Sequence, residues 1–302
     1  MSESTLTPTD ICANCGKDNA TNTCNTCKMA KYCNAACKKK HRKKHKKECE
    51  EHVAEKHDEE LFKQPPPKED CPICLIQIPS MQSGSRYQIC CGKVICSGCF
   101  YAPVYDDQGN EVESKKCPFC RSPLPKSNEE IVERIKKRVE LGDPIAIYNH
   151  GNYYRNGRNG FPQDANKAAE LYHRVADLGH AMACCSIGYV YDYGEGVEVD
   201  KKKALHYYEQ AAIRGDETAR LNLGITERNA GNFDRAVKHF MIAVGSGCDR
   251  SPKKIQQLYL NGHATKEEYT KALQLYQAYL SEIKSPQRDK AAAAHDECYR
   301  YY

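Results

Sequence analysis

No window of the 302-residue sequence is apolar for the length a membrane helix needs, and Met1–Asp10 is polar where a secretory leader would carry its apolar core. These two absences predict a chain that stays in the cytosol or nucleus. No glycine-rich nucleotide loop, no nucleophile paired with a base and no hydrolase motif occurs in the sequence, which argues against the enzyme classes built on them. Tryptophan is missing altogether. Excess charge is scarce too: the formal net charge is +5, and much of it sits in Lys38–Lys47, which reads KKKHRKKHKK. The basicity is a patch and not a property of the whole protein.

What the chain has in quantity is cysteine. Fifteen of its 19 cysteines precede residue 121, an asymmetry that general use of cysteine as a small apolar residue would not produce. In a reducing compartment, closely paired thiols are metal ligands before they are disulfide partners, and zinc is the first candidate. The other four, Cys184, Cys185, Cys248 and Cys298, lack ligand spacing and read as buried thiols acting as small apolar groups. At this length two or three separately cored units are expected.

The first cluster reads Cys12-x2-Cys15, x8, Cys24-x2-Cys27, x5, Cys33-x3-Cys37, x7, His45-x3-Cys49. Eight ligands suit two tetrahedral zinc ions. An x2 pair makes a knuckle aiming both thiolates at one metal, and x3 spacing puts two ligands one helical turn apart on one face. His41 also lies one turn before His45 and competes as a ligand, but it would leave seven residues before Cys49. The segment resembles the MYND zinc finger at all eight ligand positions. That resemblance implies interleaved binding, with Cys12, Cys15, Cys33 and Cys37 on one zinc and Cys24, Cys27, His45 and Cys49 on the other. It also implies proline-containing peptides as partners, bound on the strand and helix surfaces around Tyr32. Lysine methyltransferases can carry such fingers, but nothing here resembles their catalytic domain. The basic run falls within the ligand-bearing helix and reads as its solvated face; nucleic acid is not the expected partner.

The second cluster reads Cys71-Pro72-Ile73-Cys74, x15, Cys90-Cys91-Gly92-Lys93-Val94-Ile95-Cys96, x2, Cys99, x17, Cys117-Pro118-Phe119-Cys120-Arg121. Its three x2 knuckles resemble a RING finger, which implies Cys71, Cys74, Cys96 and Cys99 on one zinc and the remaining four thiols on the other. The usual Cys-Gly-His becomes Cys91-Gly92-Lys93, and a protonated lysine cannot coordinate. The cheapest repair takes Cys90 as the replacement, giving Cys90, Cys91, Cys117 and Cys120; if the adjacent thiols cannot both reach, that metal is weakly held. Ile73, Pro118 and Arg121 match the positions at which ligase-type RING fingers contact the conjugating enzyme. With no tryptophan in the chain, the aromatic anchor of the loop falls to Phe100, Tyr101 or Tyr105.

Beyond residue 128 the sequence repeats itself. Lys167-Ala168 aligns with Lys203-Ala204, Tyr172 with Tyr208, Ala176 with Ala212 and Gly179 with Gly215, all 36 residues apart, a period that signals a solenoid. The copy Ile187-Gly188, Tyr191, Gly194-Glu195-Gly196-Val197, Asp200, Lys203-Ala204, Tyr208, Ala211-Ala212, Gly215 resembles a Sel-1-like repeat, a relative of the tetratricopeptide helix pair. A third copy (Leu223-Gly224, Ala236, Phe240, Gly247) has a shorter loop, and a fourth keeps Ala272, Tyr276 and Leu280 with a turn at Tyr259, Gly262 and Thr265.

The sequence therefore predicts a multidomain chain: a tail over 1–11, a MYND-type finger over 12–49, a charged and proline-bearing linker over 50–70, a RING-like finger over 71–121, a linker and helix over 122–142, an all-α Sel-1-like solenoid over 143–284 and a C-terminal capping helix over 285–302. Four zinc ions are expected. The function expected is a protein-interaction scaffold acting as a RING-type ubiquitin ligase, with a conjugating enzyme at the RING and an unknown partner in the repeat groove; a non-catalytic adaptor is the alternative.

Overall fold

A computed structural model describes residues 10–80, 84–105, 107–112 and 116–294. The chain divides into two compact units, residues 1–63 and 64–302. In the first, β1 (Asn22–Thr23) pairs antiparallel with β2 (Lys31–Tyr32), and α1 (Ala35–Leu61) follows. The Asn34 side chain starts α1 by accepting from the Cys37 amide at 2.9 Å. Along its 27 residues only His45, Cys49 and Leu61 are buried. So little apolar surface cannot hold a helix in place; its ligand side chains must.

The helix runs on through Leu61, although 50–70 was expected to be linker. The reason lies in composition: no proline or glycine intervenes before Pro65, and Lys46–Glu50 and Lys47–Glu51 pair across one turn at 3.8 and 3.7 Å. The proline run that follows is no free spacer either, since Pro65 and Pro66 lie against Gly215, where an added Cβ would be 3.6 Å from Pro65 Cβ.

The second unit opens with the hairpin β3 (Ser85–Gln88) and β4 (Lys93–Cys96), the short α2 (Ser97–Phe100) and the pair β5 (Val104–Tyr105) and β6 (Glu111–Val112). After α3 (Asn128–Glu140) come helix pairs α4 (Pro144–Asn156) and α5 (Ala165–Ala176), α6 (Ala181–Tyr193) and α7 (Lys201–Ile213), α8 (Glu217–Asn229) and α9 (Phe233–Gly245), α10 (Ser251–Leu260) and α11 (Lys266–Ile283), then α12 (Pro286–Ala294). Aspartates 143, 164, 200 and 216 each accept from amides of the helix they precede, and Gly157 and Gly194 end α4 and α6 in the left-handed conformation.

One contact recurs through the pairs. A Cβ placed on Gly151, Gly188 or Gly224 would come within 2.7, 2.6 and 2.5 Å of the rings of Tyr172, Tyr208 and Phe240 respectively. Those rings are at most 2% exposed. Each first helix thus offers bare backbone to an aromatic ring of the second, and this seats the pair.

The cysteine-rich hairpin region is fastened to the array and not strung beside it. Ile135 of α3 is buried with Ala146 and Phe161, and Tyr87 and Ile89 of the hairpin region pack on the same cluster. Tyr87 donates its hydroxyl to Asp143 Oδ2 at 2.8 Å, Arg138 donates to the same carboxylate, and Asp143 Oδ1 caps α4. Further along, Lys68 Nζ meets Glu217 Oε2 at 2.8 Å, and the Ser80 amide donates to the Tyr279 hydroxyl at 2.8 Å.

The cap of α8 carries a pH dependence. Burial, and then the Glu217 carboxylate, push the Asp216 carboxyl up from 3.8 to about 6, while it still accepts from the Ala219 amide at 2.7 Å. The folded state thus holds the proton more tightly than the unfolded state. The stability this brings is complete below about pH 4 and is lost as pH rises through 6. Asp216→Asn keeps the acceptor and removes the charge, so it should stabilise the protein by about 1–3 kcal/mol at pH 7 and lose that advantage near pH 4. Urea midpoints of the two proteins across that range check it.

Candidate metal centres

The structure brings the sixteen candidate ligands into four groups: Cys12, Cys15, Cys33 and Cys37; Cys24, Cys27, His45 and Cys49; Cys71, Cys74, Cys96 and Cys99; and Cys90, Cys91, Cys117 and Cys120. Within each, the ligand atoms all lie within 4.8 Å of one another. Sulfur pairs stand at 3.7 Å for Cys15 and Cys33, 3.5 Å for Cys33 and Cys37, 3.7 Å for Cys24 and Cys49, 3.7 Å for Cys74 and Cys96, and 3.3 Å for Cys90 and Cys120. A bond of about 2.3 Å from zinc to sulfur gives a tetrahedral edge of about 3.8 Å, whereas a disulfide needs about 2.05 Å. The donor chemistry and the spacing fit a tetrahedral thiolate site.

Backbone geometry explains how short knuckles achieve this. In four of the x2 pairs the residue just after the second cysteine is left-handed: Gly16 (φ 72°), Lys28 (φ 61°), Leu75 (φ 56°) and Arg121 (φ 63°). The Leu75 amide donates to the Cys71 carbonyl at 2.8 Å and the Arg121 amide to that of Cys117 at 2.9 Å, closing each turn under its sulfurs. A non-glycine residue accepts this conformation at a cost of about 1 kcal/mol only where the surroundings fix it. In the fifth pair, α2 serves the same end, its Cys99 amide donating to Cys96 Sγ at 3.3 Å.

In the first unit, α1 supplies Cys37, His45 and Cys49, of which the last two lie one turn apart, and His45 Nε2 stands 3.2 Å from Cys27 Sγ; Cys33, expected one helical turn before Cys37, precedes the helix, which starts only after the Asn34 cap. His41 belongs to no group; its Nδ1 lies 3.3 Å from the Tyr32 hydroxyl and its ring stacks 5.8 Å from that of His45. Tyr32 itself is 1% exposed, so it supports the finger from inside and cannot be part of a peptide-binding surface. The accessible recess nearby is lined by Met29, Ala30, His41, His45, Glu48 and His52.

In the second unit the adjacent Cys90 and Cys91 both reach the group containing Cys117 and Cys120. Lys93 stands exposed on β4 outside it. Ser122, first through its hydroxyl and, against burial, through its amide, pulls the Cys120 thiol down to about 6, while burial, then Cys120 and Cys117, push Cys90 up. Ile73 is 40% exposed, and Pro118 and Arg121 sit on the other knuckle, half-buried and exposed. Of the proposed aromatic anchors, Phe100 and Tyr101 both face the Arg86 guanidinium, at 5.2 and 4.9 Å; the side chain of Tyr105 lies outside the described residues. Cys184, Cys185 and Cys248 are buried; Cys298 lies outside the described residues.

Sequence reasoning missed what covers the Cys71 group. Arg288 and Gln287, from the far end of the chain, reach Cys74 and Cys99. Gly98 was the available signal, a glycine inside a ligand knuckle with no turn to make.

Comparison with known proteins bears on the first two ligand groups and on the helix pairs. The MYND finger family matches residues 12–49 and the Sel1 repeat family matches 144–180, 181–216 and 257–278. The chain thus contains a MYND finger, which implies zinc binding, and an array of Sel1 repeats. Curated relatives include a sel1-like repeat-containing protein of Acanthamoeba polyphaga mimivirus, 27% identical over 46% of this chain and 26% of the relative. Others are a chitin synthase regulator of Saccharomyces cerevisiae, 39% identical over 20% of this chain and 9% of its own, and an ERAD-associated E3 ubiquitin-protein ligase component of Arabidopsis thaliana, 35% identical over 27% and 13%. The chain spans about a quarter or less of the length of these relatives. A Sel1 repeat protein from Oxalobacter formigenes superposes with a TM-score of 0.45 at 24% identity, over 57% of this chain and 71% of that one. Among the described residues, no helix is long and apolar enough to cross a membrane.

Proposed function

We propose that this protein is a zinc-held interaction scaffold that works as a RING-type ubiquitin ligase, with four zinc ions, one in each ligand group. The observation that carries the reading is the pairing of two zinc knuckles that present contact residues outward: Ile73 with its neighbour Leu75 (76% exposed) on one, Pro118 and Arg121 with Phe119 (39% exposed) on the other. A partner that covered these side chains would gain the burial of their apolar surface. Arg121 is held by its left-handed knuckle position and forms no ion pair among the described residues. A planar guanidinium so placed can donate to a conjugating enzyme and to its bound ubiquitin together, keeping the thioester in place for attack by a lysine. The zinc ions would fix these loops and take no part in bond making. The MYND finger would take a proline-containing peptide along Met29 and the His41 recess, and the repeats would hold a further protein.

The test is autoubiquitination by the full chain with a panel of conjugating enzymes. Arg121→Ala should lower the rate about tenfold or more, the equivalent of about 1.4 kcal/mol of lost transition-state positioning, without changing zinc content. Silence across the whole panel overturns the ligase reading and leaves the adaptor.

A further inference from the structure

The Cys71, Cys74, Cys96 and Cys99 group is covered by α12, the last helix among the described residues, more than 180 residues later in sequence. α12 starts just beyond Ser285, whose hydroxyl accepts from the Arg288 amide at 3.2 Å, and its first turn lies on α2. Arg288 is 1% exposed. Its Nη1 donates to the carbonyls of Gln77 (2.9 Å) and Ile283 (2.7 Å). Its Nη2 donates to the Ile76 carbonyl at 3.1 Å and stands 3.8 Å from Cys74 Sγ. Gln287 Nε2 reaches the Gly98 carbonyl at 3.4 Å and Cys99 Sγ at 3.6 Å. A Cβ on Gly98 would meet Arg288 Cγ at 2.6 Å and its Cα at 3.1 Å, so α12 sits on bare backbone.

A buried guanidinium is costly unless its donors are matched and its charge is balanced. The carbonyls match the two Nη groups but are neutral, and Nε has no hydrogen-bond partner among the described residues. Four thiolates around a divalent zinc leave a dianion, and the arginine stands against one of its sulfurs in a water-poor place. Partners of this kind, behind the ligands, hold ligand geometry and oppose loss of the metal.

Resting on the reading that this group holds zinc, we propose that Arg288 is a positioning residue for that ion and that zinc occupancy and the seating of α12 are thermodynamically coupled. The coupling is reciprocal: the factor by which seated α12 tightens zinc is the factor by which zinc tightens α12. Loss of this one ion by chelation therefore loosens α12 at the end of the repeat array.

Two measurements on the full chain test it: the rate of zinc transfer to a chromogenic chelator, and hydrogen exchange over residues 283–294 before and after metal removal. Arg288→Met keeps length and removes charge, and it should speed release from this site by about 10–100-fold; Arg288→Lys should recover part of the difference. In Cys71→Ser zinc release from this site should be missing and 283–294 should exchange freely while α4–α9 stay protected. Wild-type release in Arg288→Met, or unchanged protection of 283–294 after metal removal, overturns the coupling. Should Arg288→Met not fold, Arg288→Lys and the wild-type exchange arm still decide. If Cys71→Ser holds as much zinc as wild type, the underlying metal reading has failed instead, a different result from a zinc site indifferent to Arg288.

Discussion

The 302-residue chain stripped of metal at neutral pH is expected to lose the fold of residues 10–49 completely while keeping most of its helix signal. The first unit has almost nothing else to hold it: apart from ligand cysteines, its buried apolar side chains among the described residues are Ala20, Tyr32 and Leu61. At about 1.5–3 kcal/mol for each large apolar side chain buried, these cannot offset the ordering of more than thirty residues at about 1–2 kcal/mol each. In a domain of this kind the free energy of zinc binding is itself the free energy of folding, so the ions decide whether the segment folds. The array needs no such help, since Leu221, Phe240, Val244, Ile255 and Leu258 form one of several apolar clusters free of candidate ligands. Elemental analysis should find about four zinc equivalents before stripping. Exchange should become complete over 10–49 afterwards, with α6–α9 still protected. Because the two finger groups interleave along the chain, Cys49→Ala should cost two equivalents and not one. Protection of 10–49 that survives metal removal, or thiols bridged in pairs, would falsify the zinc account.

The sequence made the ligand pairs legible because metal geometry constrains spacing directly: an x2 knuckle can close on one ion, and α1 places His45 and Cys49 a turn apart whatever surrounds them; how the pairs assemble into groups came from the family resemblance and not from spacing. The helix pairs were legible for a similar reason, since Gly188 with Tyr208 and Asp200 with α7 are contacts between residues at fixed offsets within one repeat. Contacts across long sequence separations left no periodic trace. Nothing local to Arg288 says that it fills the space behind Cys74, and nothing local to Ser80 says that it meets Tyr279. The proline run misled for the same reason: three prolines are stiff, but stiffness does not say whether a segment is free or laid against Gly215. The charged stretch after Cys49 was misread as linker because helicity without an apolar stripe has no hydrophobic period to detect.

The glycine and ring pairs give the second large expectation, and its sign runs against helix propensity. Gly→Ala in a helix interior ordinarily gains about 0.5–1 kcal/mol. Gly245, near the end of α9, has nothing within 4 Å of an added Cβ and should behave that way. At Gly188 the same methyl would lie 2.6 Å from Tyr208 Cδ1 and 2.7 Å from Cε1, and that ring is 2% exposed, with no open side to move toward. Either α6 and α7 separate or the ring leaves its rotamer, and overpacking of this kind costs about 1–3 kcal/mol. At about 2–4 °C per kcal/mol for a unit of this size, Gly188→Ala should lower Tm by several degrees while Gly245→Ala leaves it level or raises it. The deeper check is a double-mutant cycle. Tyr208→Leu alone leaves a cavity, but combined with Gly188→Ala it gives the methyl room, so the pair should be less damaging than the sum of the singles by about 1 kcal/mol or more. Additive effects would mean that the methyl meets something other than the ring, and that helix seating in this array does not depend on glycine against an aromatic face.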